Sequence, residues 1–209
     1  MDNLSLLFDG MARVKIMRLF LFNETQIFDL EMIASRTKTD SETTKREIAV
    51  LEKAGLVKRK TFFKTIEVKH GGKKVEEKEK ANGFILNKDY VYLIPLRGLL
   101  IDSRLLRRDE ILKRLGRAGK LRLVIAAGVF TKDLTSRVDL FIVGDHLRKN
   151  IIDSALRAIE AEIGRELSYA VFETEDFKYR LGVCDKLVRD VLDYPHEKIL
   201  DRLDISTTS

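Results

Sequence analysis

The chain has 209 residues, 44% hydrophobic and 34% charged, with a formal net charge of +6. The apolar share is enough for a packed core, and no run approaches the roughly 20 apolar residues of a membrane-spanning helix, so no membrane association is expected. A single cysteine, Cys184, excludes an intramolecular disulfide and any zinc site built on several thiolates, and His70, His146 and His196 form no metal-ligand pair at helical spacing. The start of the chain, with Asp2 and no basic-then-apolar pattern, gives no sign of export, which predicts a cytoplasmic protein.

The charge is uneven. Residues 1–120 hold 26 Lys and Arg against 17 Asp and Glu, whereas residues 121–209 hold 13 against 16, so the balance is +9 and then −3. A basic half and a mildly acidic half predict two units, the basic one meeting a polyanion.

The first apolar clusters are Leu4 to Phe8 and then Val14, Ile16, Met17 and Leu19 to Phe22. The second is apolar on nearly all sides, which predicts a helix that is buried or shared between subunits. Next comes Asp29 to Lys60, DLEMIASRTKTDSETTKREIAVLEKAGLVKRK. Asp29 is a good N-cap for a short helix carrying Leu30, Ile33 and Ala34 on one side, and Thr37 to Asp40 breaks it. Asp40 or Ser41 caps a second helix, in which Thr44, Ile48 and Leu51 recur at core spacing. Ser41, Glu42, Thr43, Lys45 and Arg46 then face outward. Gly55 stands where a glycine ends a helix, and Leu56 and Val57 begin a strand followed by Lys58, Arg59 and Lys60. Small hydroxyls and two cations at a helix N-terminus suit a DNA major groove.

This run, with MARVKIMRLFLF before it, resembles the helix-turn-helix and wing of the ArsR/MarR-like winged-helix regulators. The resemblance implies binding of double-stranded DNA as a homodimer. Its implied readers are Ser41, Thr43, Lys45 and Arg46, with Lys58, Arg59, Lys60 and Lys64 positioning on the backbone. Residues 56–92 then correspond to a long, charged wing. Phe62, Phe63, Ile66 and Val68 give an imperfect strand pattern, His70 to Lys74 reads as a turn, and Asn82-Gly83 reads as another before a short return strand of Phe84 to Leu86. Either the hairpin is extended or its tip is mobile. Lys69, Lys73 and Lys74 are candidates for phosphate contact or plain solvated lysines. Tyr90 to Ile94 lead into Pro95, and Leu96 to Leu115 predict one or two amphipathic helices, closed by Gly116 and Gly119.

In the second half, Leu121 to Ala126 predicts a buried strand, Ala127-Gly128 opens a loop, Val138 to Val143 predicts a second strand, and residues 149–163 predict a helix. A third strand falls around Leu167 to Phe172, and Thr174 is a candidate N-cap for the helix after it. The order β-loop-β-α-β-α gives an α/β layer structure. Residues 120–195 resemble the nucleotidyltransferase-like domain of the minimal nucleotidyltransferase (DNA polymerase β-like) superfamily, and fusion of such a domain to a winged helix is a known prokaryotic arrangement. That family carries a Gly-Ser motif and a strand with two Asp one residue apart, which hold Mg²⁺. Here the first reads Ala127-Gly128 or Gly128-Val129 and the second reads Arg137-Val138-Asp139. An arginine at the first carboxylate repels Mg²⁺ or pairs with Asp139. The resemblance thus implies a domain without metal or cofactor and not an enzyme, with Gly128, Lys132, Ser136, Arg137 and Asp139 as possible nucleotide contacts. The competing reading is a weakened metal site of Asp139, Asp133 and Glu173. Leu187, Val188, Val191 and Leu192 share a helical face ended by Pro195, Lys198 to Leu203 read as one further helical turn, and the terminal ISTTS as disordered.

The expected fold class is α+β: a winged helix-turn-helix in residues 1–92, a helical linker in 93–120, and a small α/β nucleotidyltransferase-like domain with a mixed sheet in 121–209. The expected function is a nucleoid-associated, sequence-specific transcriptional regulator whose C-terminal domain senses a nucleotide or binds a protein partner. The rival is an active nucleotidyltransferase, targeted by the N-terminal domain, that modifies a protein or small molecule.

Overall fold

Two aspartates begin the two short helices at the centre of the N-terminal half. Asp29 Oδ1 accepts the Met32 N–H at 2.7 Å and starts α3 (Leu30–Thr37). Asp40 Oδ1 accepts the Thr43 N–H at 2.8 Å and starts α4 (Ser41–Lys53). Each satisfies an orphan donor of a first helical turn. Between them Lys38 takes a left-handed conformation, and the hydroxyls of Thr37, Thr39 and Thr44 lie 2.7 and 2.8 Å apart in sequence. Thr37 and Thr44 are fully buried, and their hydroxyls also donate to the Ile33 and Asp40 carbonyls, so the turn is held by side chains. At the far end of α4, Leu56 N–H donates to Leu51 O and Gly55 N–H to Glu52 O, both at 3.0 Å. Gly55 has φ +83°, the left-handed residue that this paired C-terminal motif needs.

The computed structural model describes residues 3–70, 73–101, 106–133 and 135–205. The chain divides into two units, Met1–Ile101 with Ala161–Arg165, and Asp102–Glu160 with Glu166–Ser209. In the first, α1 (Asn3–Leu7) and α2 (Met11–Phe22) precede α3 and α4, and α5 (Leu93–Leu100) follows a hairpin of β1 (Val57–His70) and β2 (Lys73–Leu86). Helix α2 is apolar nearly all round because it is buried on most sides: Val14, Ile16, Leu19 and Phe20 have no exposed surface and pack with Phe28, Ile33, Ile48 and Leu51. Pro95 falls in the first turn of α5, where its missing N–H costs nothing.

The hairpin corrects one expectation. Asn82-Gly83 is not a turn; β2 runs through it, paired Thr61 to Asn82 and Lys60 to Gly83, and the ladder continues to His70 opposite Lys73. Gly83 is required for another reason. A Cβ there would stand 2.8 Å from both Ile27 Cγ2 and Phe28 O, where Phe28 bridges to Phe84 on the outer side of β2. The hairpin is therefore extended, with 14 residues in each strand. Gly71-Gly72 and the side chains of Lys69, Lys73 and Lys74 lie outside the described residues.

The second unit holds α6 (Arg108–Leu115), β3 (Lys120–Ala126), β4 (Leu140–Asp145), α7 (Lys149–Ile163), β5 (Tyr169–Glu173), α8 (Thr174–Gly182), α9 (Lys186–Asp193) and β6 (Glu197–Asp201). Its sheet has the order β5-β4-β3-β6. Strands β4 and β5 are parallel, joined through α7, while β3 runs antiparallel to both of its neighbours. The sheet is mixed and the protein belongs to the α+β class. Leu123, Ile125, Phe141 and Val143 pack with Phe177, Val188 and Val191 of α8 and α9 on one face. Val124 and Ile142, which alternate to the other face, are equally buried, so both faces are covered.

Two more expectations are corrected here. Residues 197–201 are a strand on the outer edge of β3 and not a helical turn; so short a segment takes the structure its neighbours offer, and β3 offered an open row of hydrogen-bonding groups. The residue before α8 is Glu173, not Thr174, and the Glu173 carboxylate turns away to accept the His146 and Leu147 N–H groups at 3.0 Å each. Of the terminal ISTTS, residues 206–209 lie outside the described residues, while Ile205 packs on the α8/α9 core. Among the described residues no helix is long and apolar enough to cross a membrane.

The two readings of Gly83 are separable by mutation. Gly83→Ala is expected to lower stability by about 1–3 kcal/mol, since the clash involves backbone, whereas Asn82→Ala stays near wild type. A thermal melt in which Asn82→Ala is the more damaging would restore the turn.

Candidate functional site

Helix α4 has two different sides. Thr44, Glu47, Ile48 and Leu51 are buried, and Ser41, Glu42, Lys45 and Arg46 are exposed. The buried carboxylate fixes this orientation, because a charge removed from water has to be paired. Glu47 Oε2 lies 2.7 Å from Arg13 Nε on α2, and Arg46 Nε lies 3.4 Å from the other oxygen. Arg46 still has a side chain 68% exposed. Thr43 is less free than expected, because its N–H and its hydroxyl both bond Asp40 and hold that carboxyl below the usual aspartate range.

Across α4 and the hairpin the remaining candidate cations separate into two groups. Lys45, Lys58 and Lys60 are exposed and carry no ion pair among the described residues. Arg59 grips Glu52 of α4 through two hydrogen bonds, Nε to Oε1 at 2.7 Å and Nη2 to Oε2 at 3.1 Å, which lowers the Glu52 pKa and raises that of Arg59. Lys64 sits between Asp29 and Glu31, 2.9 and 3.1 Å from their oxygens, and its pKa is raised by both. Arg59 and Lys64 thus tie the hairpin to α4 and α3. Sequence reading missed Lys78 and Lys80, which the register sets opposite Thr65 and Phe63, on the hairpin face that also carries Arg59. Phe63 is 70% exposed there. Their signal was present as two lysines two residues apart in VEEKEK, but it needed the correct strand assignment.

The capping aspartates predict a pH dependence. Burial raises the Asp29 pKa, but the Met32 N–H and Lys64 outweigh it and leave it lowered; Asp40 is lowered by Thr43. A carboxyl depressed on folding stabilises the fold fully above its unfolded pKa, about 3.9, and the stabilisation is lost as pH falls through the folded value. The unfolding midpoint should drop as pH falls below about 4. Asp29→Asn with Asp40→Asn should lower it at neutral pH and flatten that acid limb.

In the second unit Asp139 is 5% exposed and fully engaged. Its Oδ1 accepts the Val129 N–H at 2.8 Å and its Oδ2 accepts the Ser168 N–H at 2.9 Å, which joins the loop after β3 to the start of β5. Gly128, at φ +53°, is required by the same bracket: a Cβ there would stand 2.2 Å from Asp139 Oδ1. Arg137 does not pair with Asp139, as the sequence suggested; its Nε is 2.6 Å from Asp190 Oδ2 on α9. Asp133 accepts the Thr135 N–H and hydroxyl, and Glu173 caps the chain before α7. Among the described residues no group of three or more His, Cys, Asp or Glu lies where it could hold a metal ion.

Of the five possible nucleotide contacts, the structure brings only Ser136 and Arg137 to one cavity. This cleft, of about 320 Å³, is lined by Thr135, Ser136 and Arg137 from the loop and by Lys186, Asp190 and Tyr194 in and after α9. Gly128 and Asp139 are turned into the bracket, and Lys132 is exposed elsewhere on the loop. No spacing in the sequence could have joined Lys186 to Ser136, fifty residues away. Searches of family models, curated proteins and solved structures return nothing that matches this chain.

Asp139→Asn leaves one carbonyl oxygen to serve two N–H groups, and an ionised acceptor is worth about 1.5–3 kcal/mol per bond. The variant is expected to melt lower, by an amount unchanged between Mg²⁺ and chelator. A loss of stability confined to Mg²⁺-containing buffer would give Asp139 a metal-binding role instead.

Proposed function

We propose that the protein is a sequence-specific, double-stranded-DNA-binding transcriptional regulator. In this reading the first unit is a winged helix: α4 enters the major groove with Ser41, Lys45 and Arg46 toward the bases, and the β1–β2 hairpin is the wing. The observation that carries it is the two-sided α4, anchored by the pairing of the buried Glu47 with the partly buried Arg13 and presenting two cations and a hydroxyl beside its capped N-terminus. Helix N-termini and basic side chains suit a phosphate-lined groove. On the hairpin, Lys58, Lys60, Lys78 and Lys80 supply the phosphate contacts, and Arg59 and Lys64 hold the wing in place.

A homodimer completes the reading. Leu6 and Leu7 on α1 and Ile94 on α5 are 73%, 68% and 84% exposed, apolar side chains that a second copy would cover. Two copies read two half-sites about one helical turn apart. The second unit, in the same proposal, has a nucleotidyltransferase-like architecture but serves ligand or partner binding, because the carboxylate such chemistry would use is occupied by two backbone amides.

Selection from random duplex DNA, followed by titration of the recovered site, tests this. Arg46→Ala is expected to weaken binding by about 1–3 kcal/mol and relax base preference, while Lys60→Ala weakens all sequences alike and lowers the salt slope by about one. Unchanged affinity and preference for Arg46→Ala would remove α4 as the reader.

A further inference from the structure

The cleft between residues 135–137 and α9 has the composition of a ligand site. We propose that it binds a small phosphorylated molecule carrying a flat ring, of the class a mononucleotide represents. Binding here rests on the ligand-binding role proposed for the second unit and is independent of DNA binding by the first.

Two cations from separate elements meet there, Arg137 from the loop and Lys186 from the first turn of α9. Lys186 has no ion pair among the described residues. Arg137 is held against the wall by Asp190 at 2.6 Å, and a guanidinium has five N–H donors, so that contact leaves donors for an anion. The hydroxyls of Thr135 and Ser136 already donate, to Asp133 Oδ1 and the Val138 carbonyl. Their oxygens are left as acceptors, which suits a sugar hydroxyl better than a phosphate. Tyr194 is 58% exposed at the edge and offers a ring face. A flat ring stacked there keeps its own face partly shielded from water.

Charge and size restrict the ligand. Arg137 and Lys186 against Asp190 leave the lining at +1. A phosphomonoester, at about −1.5 to −2, exceeds that by about one charge or less, whereas a triphosphate exceeds it by far more. The volume of about 320 Å³ is at the small end of ligand sites. Lys186, Asp190 and Tyr194 also border a second, more open groove that reaches Arg189 and Cys184, so the cleft can extend along α9 for a larger substituent.

Titration calorimetry on the full chain, with AMP, adenosine and inorganic phosphate as probes, tests the proposal. AMP is expected to bind about tenfold more tightly than either fragment, because each lacks one half of the recognition. Lys186→Gln should weaken AMP at least about fivefold with no change in the thermal midpoint, since the side chain is exposed. Tyr194→Ala should weaken AMP and leave phosphate unaffected, and Lys60→Gln on the hairpin should change nothing. No heat from AMP up to about 5 mM, equal affinity for AMP and phosphate, or wild-type binding by Lys186→Gln would each overturn it.

Discussion

A buried carboxylate decides how α4 can be used. Glu47 is almost without solvent, and its charge is compensated chiefly by Arg13 of α2, which reaches it at 2.7 Å, with Arg46 at 3.4 Å from the other oxygen. That contact, with Thr44, Ile48 and Leu51 on the same side, fixes the rotation of the helix about its axis. Everything on the opposite side follows by helical geometry: Ser41, Glu42, Lys45 and Arg46 have nowhere to go but outward. The ends of the helix are fixed as firmly, by Asp40 at one and by the Gly55 motif at the other. A surface so positioned is set by the fold itself, and preorganisation of that kind lowers the ordering cost of any binding.

The same logic runs in the opposite direction at Asp139. Here a carboxylate is also buried, but its partners are two backbone amides from segments far apart in the chain. It acts as a staple for the loop after β3 and the entry to β5, and Gly128 is the residue that leaves room for it. In the neighbouring loop, Ser136 and Arg137 line the cleft beside α9, and Arg137 pairs with Asp190 and not with Asp139.

What could be read from the sequence was local. Asp29, Asp40 and Gly55 cap or end helices within four residues of themselves, and these roles are the ones their chemistry suggests. The helix of residues 149–163 was legible from its apolar repeat for the same reason. Gly83 was not, because the local preference of Asn-Gly for a turn is overridden by a segment 55 residues earlier lying against it. Residues 197–201 were not, because only the open edge of β3 makes them a strand. The candidate sites divide in the same way. The outward face of α4 follows from helical spacing, whereas the pairing of Arg59 and Lys64 with α4 and α3, and the meeting of Lys186 with Ser136 and Arg137, exist only once the chain is folded.

The most direct test of the central claim is residue-level mapping of the DNA contact by amide chemical-shift perturbation, with an isotope-labelled full chain titrated with duplex DNA at modest salt. The account requires the shifts to concentrate on residues 41–46 of α4 and on the basic base of the hairpin, residues 58–65. Shifts confined to the second unit, or none at saturating duplex, would contradict it.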